Sequence, residues 1–218
     1  MKLLQQKSYS RTLALVTGII ILEILISAPA YAHHPLDGRL PANLFEGMMS
    51  GFGHPTIGLD HLAFVIASGL MALGIAGGVM IPIAFVVATA IGAGIHLASI
   101  DLPLPEIFIA ASVVLFGVLL IIRGQQQNSN YTLIASAIAG FAGLFHGFAY
   151  GEGIFGAEPT PLFAYLFGFT LIQLVISLGT YLLATKLSKT ISVKYIMRIG
   201  GFAIAAIGMV FLSSAITG

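Results

Sequence analysis

Beyond residue 33 the chain is a succession of six apolar runs, at about 44–74, 78–98, 104–123, 131–150, 160–185 and 195–216. Each is near the roughly 20 residues that cross a bilayer as a helix. In hydrocarbon every backbone N–H and C=O must be paired inside the protein. These runs therefore predict an all-α integral membrane protein of six transmembrane helices. Composition agrees: 58% of residues are apolar, 8% are charged and mean hydropathy is +1.02, far from globular averages. The linkers are short, and QQQNSN at 125–130 is the plainly polar one. No soluble domain fits between them, and no internal repeat is convincing. The 26 glycines suit helices that approach closely in a membrane.

Residues 1–32 precede this domain and read as a signal peptide. Lys2, Lys7 and Arg11 form a basic start, LALVTGIIILEILIS an apolar core, and APAYA carries Ala30 and Ala32 in a small-x-small cleavage pattern. Cleavage after Ala32 makes His33 the new N-terminus and leaves 33–218 as the membrane domain. Glu23 inside the apolar core keeps an uncleaved helix as the alternative. Both readings put residue 33 outside the cytoplasm and the chain in the cell's inner membrane. Six spans then place Arg123, Lys186, Lys189, Lys194 and Arg198 inside and Arg39 outside, as the positive-inside rule requires. Asp37, Glu46, Asp101, Glu106, Glu152 and Glu158 all fall at the outer ends. Those acids are open to two readings, a cation-attracting face or helix caps.

A formal net charge of +1 gives no sign of a nucleic-acid partner. The lack of cysteine excludes disulfides, thiolate metal sites and thiol catalysis. No GxxxxGK[ST] loop is present, so the chain does not hydrolyse ATP itself.

Against this background GHPTIGLDH, residues 53–61, is an anomaly. A carboxylate at membrane depth costs about 2.5–3.5 kcal/mol on insertion scales and is usually paired and functional. The topology puts His54, Asp60 and His61 in the outer half of the first span. His96 ends the second span, and His146 with Glu152 lies near the outer end of the fourth. A single membrane histidine is more often a hydrogen-bonded packing residue; it is Asp60 that shifts the reading toward a site. His54 and His61 share a helix face but stand about 10.5 Å apart in height on a straight helix. Gly51, Gly53, Pro55 and Gly58 predict a break or kink in this span, and one ion reaches both histidines only if the chain unwinds, for which HPTIG supplies the residues. Broken helices lining a polar cavity are how transporters expose ligands at depth. Nitrogen and oxygen donors without thiolate suit nickel, cobalt or zinc. Neutral imidazole is the ligand form, so binding should weaken below roughly pH 6.

HPTIGLDH and, about ninety residues later, LFHGFAYGE resemble the motifs of the HupE/UreJ family of nickel and cobalt permeases. The first matches the family's HPxxGxDH, and the resemblance covers the mature chain. It implies uptake of Ni2+ or Co2+ as transported substrate, without a prosthetic group. His54, Asp60 and His61 would carry the metal, joined by His146 and Glu152. Many members read FHGHAHGxE in the second motif; here Phe148 and Tyr150 replace two of those histidines. His96 matches no family motif and is a candidate substitute ligand. His33 and His34 offer a surface chelate if Ala32 is cleaved, against a plain solvated N-terminus.

Two other classes compete with a permease. An intramembrane zinc hydrolase would use His54, His61 and His146 as ligands and Asp60 as base, though short loops offer little headgroup recognition. A metal sensor or maturation partner is the third, and the absence of a soluble domain argues against it. The inner half lacks ionisable residues along its helices, leaving carbonyls, hydroxyls or Gln173 for release, or Gln173 as a packing hydrogen bond. The sequence fixes neither the metal nor the oligomeric state.

Overall fold

The first apolar run does not form one helix. In a computed structural model that describes residues 39–123 and 129–217, it is split into α1 (Leu44–Ile57) and α2 (Leu59–Met71). The Asn43 side chain accepts from the Glu46 N–H and starts α1, satisfying one of the orphan donors of a first turn. The helix then continues through Gly51, Gly53 and Pro55. It ends at Gly58, whose backbone is extended at φ −69° and ψ 104°. The Thr56 hydroxyl donates to the Phe52 and Gly53 carbonyls in the last turn. Unwinding expected across HPTIG is thus confined to one residue, and His54 stays helical.

Five longer helices follow: α3 (Met80–Leu97), α4 (Pro105–Ile122), α5 (Ser129–Glu152), α6 (Pro159–Leu187) and α7 (Val193–Thr217). No strand occurs among the described residues. These five are long and apolar enough to cross a membrane; α2 is apolar but shorter. The signal segment, His33, His34, Asp37 and most of the QQQNSN linker lie outside the described residues.

Small residues set how the helices pair. Gly143, Gly147 and Gly151 recur every fourth residue on α5, where they meet Phe85, Thr89 and Ala93 at the same spacing on α3. The two helices therefore run parallel with their backbones in contact. A Cβ on Gly147 would stand 2.0 Å from the Thr89 carbonyl oxygen. Gly47 and Gly51 of α1 meet the backbone of Pro161 and Tyr165 in the same parallel sense. Gly117 against Ala205 and Gly208 against Val114 show α4 and α7 antiparallel. Lipid is as apolar as leucine, so close van der Waals packing of this kind drives association in a membrane.

This pairing sorts charge by end. The start of α1 and the α3–α4 and α5–α6 connections lie at one end, with Glu46, Asp101, Glu106, Glu152 and Glu158. Arg123, Lys186, Lys189, Lys194 and Arg198 lie at the other. Arg123 donates to the Met71 and Leu73 carbonyls, serving orphan acceptors where α2 ends.

Candidate metal centre

The break at Gly58 creates a second helix start inside the apolar run. Asp60 sits in its first turn, buried, and accepts a hydrogen bond of 2.8 Å from the His61 N–H. A helix N-terminus carries partial positive charge and unpaired N–H groups. That offsets part of the cost of an acid at this depth. Arg39 pairs with Glu46 elsewhere, at the start of α1.

The same break re-aims the histidines. Instead of the straight-helix separation of about 10.5 Å, the ring centroids of His54 and His61 are 5.8 Å apart. Gly58 leaves the room: a Cβ there would stand 2.8 Å from His61 Cδ2.

Hydrogen bonds hold each ring. His54 Nδ1 is 2.7 Å from the Tyr165 hydroxyl, which donates to the Tyr150 carbonyl at 2.8 Å. His61 Nδ1 is 2.8 Å from His146 Nδ1. On its other side His146 Nε2 is 3.1 Å from Ser112 Oγ, which donates to the Ile109 carbonyl at 2.6 Å. His146 is wholly buried, with Phe64 and Phe85 at ring-centroid distances of 4.8 and 5.4 Å. The Tyr150 ring packs on both His54 and His61, at 5.0 and 4.8 Å. Its buried hydroxyl has no hydrogen-bond partner among the described residues, and Asp60 is close enough to act on it electrostatically.

Of the expected ligands, the structure brings His54, His61 and His146 together, with Asp60 adjoining. Glu152 is exposed at the end of α5. Against FHGHAHGxE, moreover, Gly153 occupies the glutamate position and Glu152 the one before it. A Cβ on Gly153 would stand 2.9 Å from His54 Cε1 and Nδ1. His96 is apart from the cluster: its ring meets Phe148 at 4.5 Å and Phe155 at 5.6 Å. Its buried Nδ1 has no partner among the described residues. The two replaced histidine positions thus separate, Tyr150 onto the cluster and Phe148 onto His96.

Among the described residues no three His, Asp or Glu side chains already stand as a metal-holding set. The Nδ1 atoms of His61 and His146 are engaged with each other. Sequence reasoning missed Ser112, Tyr165 and the Tyr150 hydroxyl. Each is a polar group in an apolar run, a weak signal.

The fold and site define a helical membrane protein with a buried histidine cluster at a broken helix, toward its acidic end. The HupE / UreJ protein family pattern matches residues 20–211, and the chain belongs to that family. It is similar to Protein HupE of Rhizobium leguminosarum bv. viciae, at 30% identity over 172 residues, covering 77% of this chain and 85% of the relative. No solved structure matches.

Proposed function

We propose that the chain is a permease that takes nickel or cobalt into the cell, with α1 and α2 together forming the first of six spans. The observation that carries this reading is the one-residue break, which brings His54 close to His61, itself bonded to His146 and adjoining the buried Asp60. Packing alone would not require an acid there. The acidic end faces outward, with the basic end in the cytoplasm as the positive-inside rule prefers. A dication approaching that end meets carboxylates first, then imidazole. Borderline nitrogen donors of this kind favour nickel and cobalt over calcium or magnesium. His54, Asp60 and His61 are the principal ligands, and His146 and Glu152 serve the same path.

Farther along α6, Gln173 supports a route onward. Tyr165, Phe169, Gln173 and Ser177 recur every fourth residue, all fully buried. The Gln173 amide nitrogen donates to Thr89 Oγ1 and the Phe169 carbonyl. Its buried oxygen has no partner among the described residues, which suits a passing cation. The membrane potential supplies about 2.3 kcal/mol per charge per 100 mV, hence twice that for a dication.

Radiolabelled nickel and cobalt uptake tests the reading, in cells holding wild type, His54→Ala or Asp60→Asn at matched membrane levels. Uptake by wild type above the empty vector, and its loss in both variants, is expected. Wild-type uptake at the empty-vector level would sink the permease, and equal uptake by all three proteins would sink the site.

A further inference from the structure

We infer that Ser112 and Tyr165 are positioning residues that fix which nitrogen of each clustered histidine carries the proton. His54 and His61 then both present Nε2 to the metal, and His146 stands behind His61 as its support. The inference deepens the permease reading and rests on it for the identity of the metal.

Both hydrogen-bond chains end on a backbone carbonyl, which only accepts. The single proton of the Tyr165 hydroxyl is given to the Tyr150 carbonyl. Toward His54 that oxygen is therefore an acceptor, and the proton of the 2.7 Å contact belongs to His54 Nδ1. A neutral imidazole protonated at Nδ1 carries its lone pair on Nε2.

The second chain is one link longer and runs by the same logic. Ser112 gives its proton to the Ile109 carbonyl, so His146 Nε2–H donates to Ser112 Oγ. The lone pair of His146 is then on Nδ1, which accepts from His61 Nδ1–H across 2.8 Å. His61 in turn carries its lone pair on Nε2. Whatever the Nε2 atoms of His54 and His61 meet, they meet it as acceptors or ligands.

Five helices contribute to this arrangement: His54 from α1, His61 from α2, Ser112 from α4, His146 from α5 and Tyr165 from α6. The wholly buried position of His146, against Phe64 and Phe85, suits a support more than a ligand that must meet an ion arriving from water. Outer partners of metal-binding histidines orient the ring and raise its basicity, and losing one typically reduces affinity about 10–100-fold.

The test uses the full chain in detergent, metal-free, with 15N-labelled histidine, because protonated and unprotonated ring nitrogens separate widely in 15N shift. His54 and His61 should be protonated at Nδ1 and His146 at Nε2. Ser112→Ala should redistribute the protons of His146 and His61 and leave His54 unchanged; Tyr165→Phe should do the reverse. In nickel titrations each variant should weaken binding about 10–100-fold, with Ser112→Thr, which keeps the hydroxyl, restoring it to within a few-fold of wild type. A wild-type His61 protonated at Nε2, or at both nitrogens, overturns the inference. So do His61 and His146 signals that ignore Ser112→Ala. Because the spectra are recorded without metal, relays that are present in a chain that moves no nickel defeat the permease reading alone. Nickel uptake with the wrong protonation pattern defeats the relays alone.

Discussion

A Cβ on residue 58 would meet His61 Cδ2 at 2.8 Å and Asp60 Oδ1 at 3.4 Å. The backbone there is open to any residue, so the demand is for space. Gly58→Ala should push the His61 ring out of line and lower nickel affinity about 10-fold or more, as losing an outer partner does. Helix content by circular dichroism should stay unchanged, and unaltered affinity would show that His61 has other room. Tyr150 makes the opposite case. A buried hydroxyl without a partner is expensive, about 1–3 kcal/mol. Tyr150→Phe keeps the ring on both imidazoles and should raise the melting temperature; a fall would reveal a partner for the hydroxyl. The histidines and Asp60 were legible because polarity in an apolar run has to be explained. Ser112 and Tyr165 were not, because a hydroxyl that bonds its own helix is ordinary, and Tyr165 lies 111 positions from the histidine it holds. Glu152 stands one position before the glutamate of FHGHAHGxE, and the residue in register, Gly153, is the one pressed on His54.

At the level of helices, the glycine row on α5 does what side chains do elsewhere. With the Gly147 Cβ position 2.0 Å from a carbonyl oxygen of α3, no rotamer change relieves the clash and the backbones must part. Gly147→Ala should lower stability by about 1–3 kcal/mol, the usual range for overpacking, seen as a lower melting temperature in detergent. Gly94→Ala is the control. Nothing lies within 4 Å of that position, and alanine gains about 0.5–1 kcal/mol of helix preference. A melting temperature lowered equally by both would show that the row is not a contact. Periodicity and length made the long helices legible, and glycine with proline signalled a break in the first run. The place of the break was not legible. Proline inside α1 forfeits one hydrogen bond and the helix continues, whereas Gly58 meets His61 across space, a contact no local pattern encodes.

For the whole molecule, the division of charge makes orientation testable. The described acids outside the core gather at one end and the bases, apart from Arg39, at the other. The chain has no cysteine, so one introduced thiol reports its side without background. Asp101→Cys and Glu158→Cys, both exposed at the acidic end, should react with a membrane-impermeant maleimide in intact cells. Thr190→Cys, exposed between α6 and α7, should react only after permeabilisation. The reverse pattern would put the histidine cluster near the cytoplasmic face. Nickel would then reach it only after crossing most of the bilayer, and the negative interior would draw a dication toward the cluster and not past it. The same residues would then form an export or storage site. Side of labelling and direction of transport therefore stand together: an outward acidic end makes the potential and the carboxylates act in series on an entering ion.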